Sequence, residues 1–169
     1  MISEKLQDAI NEQITFEISS GLIYKAIAAY LDSEDLTGFA AWMQVQFEEE
    51  LFHADKLATY VNDAGGRVKY LAIEAPCNEY DSPLHAFEAS LKHEQIVTSR
   101  INNLMAIAKE ENDFAAQICL QWFVTEQIEE ESTFSQIISE LKRIKDDGRG
   151  LIMLDRELGQ RTFTPPAGE

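Results

Sequence analysis

The chain has 169 residues, a length that fits one domain with a single sizeable core. Its formal net charge of −16 at pH 7 argues against nucleic acid or an anionic membrane as the main partner, because phosphate contacts need clustered Lys and Arg. We found no apolar run long enough for a membrane span, no signal-peptide pattern at the start, and two cysteines (Cys77 and Cys119) far apart. These features predict a reduced cytoplasmic protein.

Helical periodicity, with apolar residues three or four positions apart, predicts four long helices and a short fifth one. Thr37 is predicted to cap the start of the second helix, and Gly65-Gly66 to end it. Ser82 followed by Pro83 is a strong start signal for the third helix. The predicted helices cover about residues 3–32, 37–65, 83–111, 113–145 and 150–158.

The lengths of the connections predict the topology. Short breaks after the first and third helices make each of those helices antiparallel to the next one. The connection between the second and third helices, about residues 67–81, is long enough to run back along a bundle. We therefore predict an all-α fold in one domain over residues 1–169: an up-down-down-up four-helix bundle with one long crossover and a short C-terminal helix.

Each long helix has an apolar stripe that is interrupted near its middle by side chains able to bind a metal ion. The helical spacing turns these polar residues inward together with the apolar ones. Since the midpoints of antiparallel helices lie at one level, we expect the interrupting residues to converge. They are Glu17, Glu50, His53, Glu94, Gln127 and Glu130. Tyr24, two turns after Glu17, is expected to point toward the same place.

Buried carboxylates that crowd together are costly unless a cation accompanies them. No Lys or Arg interrupts the four stripes, so a metal ion is the expected cation. Carboxylate oxygens with one imidazole suit Fe, Mn or Zn, and Glu50 with His53 forms the Glu-x-x-His pair used in di-iron bundles. His85 and His93 lie off this group, and we expect both to be solvated.

Two segments, FEEELFH (47–53) and QWFVTEQIEEE (121–131), resemble those of bacterial non-haem ferritins, and the resemblance extends over nearly the whole chain. It implies a four-helix ferritin-like domain with two adjacent iron positions. The implied ligands of the first iron are Glu17, Glu50 and His53; those of the second are Glu50, Glu94 and Glu130, with Gln127 close by. The implied ligands of a third, neighbouring iron are Glu49, Glu126 and Glu129.

The resemblance also implies an activity and an assembly. Two Fe(II) ions would be oxidised to Fe(III) by O2 or peroxide, and the ferric mineral would be stored in a hollow cage of twenty-four subunits. Leu51 stands where bacterioferritins carry their haem-ligand Met, so we expect no haem. Tyr24 is expected either to supply an electron or to hydrogen-bond a site carboxylate.

Two other functions remain open. A di-iron oxidase or peroxidase could use the same paired site without storing iron, although the three additional glutamates would then have no use. A non-catalytic helical bundle that binds a partner protein would leave the carboxylates at mid-bundle unexplained. The working oxidant, the route of iron entry, and the choice between storage and detoxification are left undecided by the sequence.

Overall fold

The computed structural model describes residues 1–165, which form five α-helices and contain no β-strand. The helices are α1 (Glu4–Ser33), α2 (Thr37–Asp63), α3 (Pro83–Glu110), α4 (Phe114–Ile144) and α5 (Gly148–Leu158). The predicted all-α fold is confirmed, and the predicted helix ends lie close to the observed ones. None of these helices combines the length and the apolarity needed to cross a membrane.

Polar side chains fix the starts of three of the long helices. The Ser82 hydroxyl accepts a hydrogen bond from the His85 N–H at 3.1 Å, with Pro83 at the first helical position, as predicted. Ser3 caps α1, and Asp113 caps α4 in the same way. Each cap satisfies a backbone N–H that the helix itself cannot pair.

The predicted N-cap of α2 is wrong. Thr37 is the first residue of the helix, and Leu36 occupies the cap position without a side-chain hydrogen bond. The cap comes instead from α5, where Asp155 Oδ1 accepts hydrogen bonds from the N–H groups of Gly38 (2.8 Å) and Phe39 (3.0 Å). A carboxylate near a helix N-terminus also interacts favourably with the helix dipole, so this contact stabilises both helices.

The long crossover, residues 64–82, runs along α1 and produces the predicted up-down-down-up order. Three polar side chains spaced four apart on α1 accept hydrogen bonds from its backbone N–H groups at 2.7–3.0 Å. These are Gln7 to Arg67, Asn11 to Lys69, and Thr15 to Leu71. The crossover thus has its extended backbone paired with side chains of one helix rather than with a strand.

The apolar core consists of two clusters, one toward each end of the bundle. The cluster nearer α5 includes Phe39, Phe87 and Phe134, and the other includes Ile10, Leu57, Ile101 and Leu120. Between them the interior is polar, at the level where the four stripes are interrupted. This polar layer is the candidate site.

Candidate metal centre

The six side chains predicted to converge are all buried in the polar layer, and they come from all four long helices. Their exposed fractions are 0% for Glu17, 1% for Glu50, 3% for His53, 0% for Glu94, 4% for Gln127 and 5% for Glu130. One ligand atom from each of Glu17, Glu50 and His53 lies within 4.8 Å of the other two. Ligand atoms of His53, Glu126 and Glu130 form a second group of the same size.

Two buried carboxylate oxygens stand out in this layer. In the described part of the chain, neither Glu17 Oε2 nor Glu50 Oε2 has a hydrogen-bond partner. The Nδ1 atom of His53 lies 3.5 Å from Glu50 Oε2, but not in hydrogen-bonding geometry. Buried polar atoms are nearly always hydrogen-bonded, so two unpaired anionic oxygens beside an imidazole make a site suited to a cation.

Glu94 lies on the opposite side of the layer and accepts hydrogen bonds from two neighbours. The Tyr24 hydroxyl donates to Glu94 Oε1, and Gln127 Nε2 donates to Glu94 Oε2 at 3.0 Å. The Tyr24 ring is fixed by stacking on Phe134, with ring centroids 5.8 Å apart. Tyr24 and Gln127 therefore orient Glu94 toward the middle of the layer.

Burial dominates the electrostatics of the layer. It raises the pKa of Glu17 and of Glu94, and it raises the pKa of Glu50 and of Glu130 well above the ordinary value. For Glu50 and Glu130 the neighbouring carboxylates add to this effect. Without a metal ion, protons lower the charge of the layer, so a divalent cation that binds there must displace them.

A glutamine that sequence reasoning did not single out holds Glu17 in place. Gln13 Nε2 donates to Glu17 Oε1 at 3.0 Å, and Gln13 Oε1 accepts from Arg100 Nε at 2.7 Å. The Arg100 guanidinium stacks over the Phe16 ring at 4.2 Å. Gln13 lies one turn before Glu17 on the same stripe, which was the available signal.

A second glutamine has the same role on the other side. Gln46 Nε2 lies 2.9 Å from both carboxylate oxygens of Glu130, and Gln46 Oε1 accepts from Arg161 at 2.8 Å. The prediction that no Arg or Lys interrupts the stripes is correct. Arginines nevertheless reach the layer from outside, each through one amide.

The three additional glutamates are not equivalent in position. Glu126 is half-buried and belongs to the group with His53 and Glu130. Glu49 is also half-buried, and its carboxylate pairs with Arg161. Glu129 is exposed and belongs to neither group of close ligand atoms found among residues 1–165.

The expectation that His93 is solvated is wrong, whereas His85 is exposed as expected. The His93 ring stacks on Phe16 with centroids 5.2 Å apart, and its Nε2 lies 2.8 Å from the Ser20 hydroxyl. Burial lowers the pKa of His93 to about 4. Because the Ser20 hydroxyl donates to the Phe16 carbonyl, His93 is the donor to Ser20 and is neutral at pH 7.

Comparison with known proteins agrees with this architecture. A family model described as a ferritin-like domain matches residues 7–144. The chain is 42% identical over 163 residues to the bacterial non-heme ferritin of Staphylococcus aureus strain USA300, which covers 96% of this chain and 98% of the relative. A probable bacterial non-heme ferritin-like protein of Haemophilus influenzae is 39% identical over 159 residues, covering 94% and 96%.

Two solved structures of Archaeoglobus fulgidus ferritin are similar at 48% identity. The open pore form has a TM-score of 0.94, covering 96% of this chain and 99% of that one. An engineered closed form has a TM-score of 0.96, covering 97% and 100%. A four-helix bundle with a carboxylate layer at its middle defines the class of helical metal-carboxylate proteins. Within that class, this chain belongs to the ferritin family, so the predicted resemblance is confirmed.

Proposed function

We propose that this protein stores iron and oxidises Fe(II) to Fe(III) in the polar layer. The observation that carries the proposal is the pair of buried, unpaired oxygens on Glu17 and Glu50. Oxygen ligands with one imidazole suit Fe(II) and favour the harder Fe(III). In this proposal Glu17, Glu50 and His53 bind the first iron, and Glu50, Glu94 and Glu130 bind the second, with Gln127 orienting Glu94.

The proposed reaction balances with the oxidants named for it. Two Fe(II) ions give up one electron each, and O2 with two protons becomes H2O2. With peroxide as oxidant, H2O2 takes the same two electrons and two protons and becomes two waters. The buried carboxyl groups exchange their own protons for iron when it binds. Tyr24 stays beside Glu94 as a hydrogen-bond donor, from which an electron and a proton could leave together.

We further propose that the protein is a cytoplasmic homo-oligomer of twenty-four subunits. Membership of the ferritin family supports an oligomer. Exposed apolar side chains along α4 support it independently, since a chain on its own gains nothing from leaving them in water. Their exposed fractions are 71% for Phe114, 74% for Ile118 and 70% for Ile128. Light scattering of the purified protein tests this, and a stable monomer would contradict it.

The central experiment is anaerobic loading with Fe(II) followed by rapid mixing with oxygen. Glu50→Ala is expected to lose the fast appearance of ferric absorbance, because Glu50 is the proposed ligand common to both irons. Glu48→Ala changes an exposed glutamate on the same helix and is the matched control. Wild-type rates in Glu50→Ala would refute the proposed site. Iron retained per subunit after repeated additions then separates storage from oxidation alone.

A further inference from the structure

The segment after α5, residues 159–163, turns back along α2 and places a cation on it. We call it the return segment. The guanidinium of Arg161 stacks over the ring of Trp42 at 4.2 Å. Two residues later, Phe163 packs against Phe52 with ring centroids 5.8 Å apart. Arg161 is therefore fixed between α5 on one side and an aromatic contact on the other.

Both hydrogen-bond acceptors of Arg161 lie on the same face of α2, three residues apart. Its Nη2 donates to Glu49 Oε2, and its Nη1 donates to Gln46 Oε1 at 2.8 Å. The side chains of Arg161 and Glu49 are only 23% and 15% exposed. A pair so shielded from water is stronger than an ordinary surface ion pair, because solvent screens it less.

The arginine also determines how Gln46 meets the paired site. A guanidinium can only donate hydrogen bonds, so Gln46 must present its amide oxygen to Arg161. The amide nitrogen is left to donate to Glu130, which it contacts at 2.9 Å. A change at Glu49 can thus reach Glu130 through a single side chain.

We propose that Arg161 is a tethered cation which occupies the third metal position at Glu49 until a metal ion displaces it. The inference rests on the proposed function, which puts Glu49 with Glu126 and Glu129 around a third iron. The guanidinium already sits on the Glu49 oxygen that a metal ion would use. Two cations at that distance repel each other strongly, so the ion and Arg161 exclude one another.

Displacement has two consequences. The third ion binds after the pair is filled, because it must first break the contacts of Arg161 with Glu49, Gln46 and Trp42. Once Arg161 leaves, Gln46 is free to turn its amide and release Glu130. Glu49 never remains half-buried without a positive partner, whichever cation is bound.

Calorimetric titration of the metal-free assembled protein with Zn(II) tests the inference without any oxidation. Arg161→Gln is expected to bind the third Zn(II) about tenfold more tightly than wild type, since a charged hydrogen bond no longer has to be broken. Affinity at the paired site should be unchanged within error. Arg156→Gln removes the same charge from an exposed position on α5 and should match wild type.

Trp42 fluorescence provides a readout that a purely structural role of Arg161 would not affect. The chain has two tryptophans, so Trp122→Phe leaves Trp42 as the only emitter. In that background, emission should change as the third equivalent of Zn(II) binds and the guanidinium leaves the ring. The additional substitution Arg161→Gln should abolish this change while the first two equivalents bind as before.

The outcomes separate the inference from the proposed function. If a third Zn(II) binds with the same or lower affinity in Arg161→Gln, the tethered-cation role is refuted and the third site stands. If no variant binds more than two ions per subunit, both the third site and the role of Arg161 are refuted. If Glu50→Ala also binds Zn(II) like wild type, the paired site itself is refuted.

Discussion

Gly38 and Asp155 are in direct contact, although they lie on different helices. A Cβ atom on Gly38 would stand 1.7 Å from the Asp155 carbonyl oxygen, which leaves no room for any side chain. The same aspartate caps α2 through its Oδ1. α5 can therefore dock against the start of α2 only if residue 38 is glycine.

Gly38→Ala is accordingly expected to destabilise the protein, although Gly→Ala within a helix normally stabilises it by about 1 kcal/mol. The added methyl group must push α5 away and break the cap, whose loss alone costs about 1 kcal/mol. Thermal unfolding measures the effect. Gly148→Ala is the control, because nothing lies within 4 Å of a Cβ built there. Equal melting temperatures for wild type and Gly38→Ala would contradict the docking described here.

The buried glutamates make the metal-free protein sensitive to pH. Burial raises the pKa of Glu50 well above its ordinary value of 4.5, so the folded state keeps a proton that the unfolded chain has lost. The free energy of unfolding therefore falls as the pH rises above 4.5 toward the folded-state pKa. Metal-free Glu50→Gln should lose less stability than wild type between about pH 5 and about pH 8.

Chemical unfolding of the metal-free protein at both pH values gives this comparison. Glu48→Gln, at an exposed position on the same helix, should behave like wild type. Iron should reverse the trend for wild type, because deprotonation favours metal binding. Parallel curves for wild type and Glu50→Gln would show that Glu50 is not a strained carboxyl group.

Tyr24→Phe is expected to separate the structural role of the hydroxyl from any redox role. The ring keeps its stacking on Phe134, and only the hydrogen bond to Glu94 is lost. We expect the metal-free protein to lose about 1 kcal/mol of stability, with Fe(II) stoichiometry at the paired site unchanged. Rapid-freeze paramagnetic resonance of wild type during oxidation would detect a tyrosyl radical, and the Tyr24→Phe spectrum is its control.

Glu126 and Glu129 are expected to differ in their effects. Glu126 is half-buried beside His53 and Glu130, whereas Glu129 is exposed. Glu126→Gln should therefore slow the first oxidation several-fold, and Glu129→Gln should change only later turnovers. Stopped-flow absorbance over successive iron additions measures both. Equal effects on the first addition would mean that the two carboxylates belong to one site.

The sequence predicted the helices and the buried layer because both depend on spacing within one helix. Glu17, Glu94 and Glu130 interrupt apolar stripes, and a stripe indicates which residues face inward. Contacts between distant segments have no such signal. The cap on α2 comes from Asp155, and the partner of Gln46 is Arg161; neither pairing leaves a pattern in local sequence.

His93 illustrates a different limit. It precedes Glu94, so its position on α3 lies at the border of the buried stripe, where periodicity does not decide between water and core. The small residue Ser20 on α1 leaves room for the imidazole and accepts its hydrogen bond. Which border residues are covered depends on the size of side chains on the neighbouring helix, and this is known only once the helices are packed.

The division of the interior into two apolar clusters affects how the protein withstands repeated use. Leu57 and Phe123 lie in one cluster, Phe39 and Phe134 in the other, so each end of the bundle is held together without help from the carboxylates. Ions can enter and leave the middle while both ends stay packed. Wear from many cycles of filling and emptying would then fall on side-chain rotamers in the layer, and the backbone would not have to refold each time.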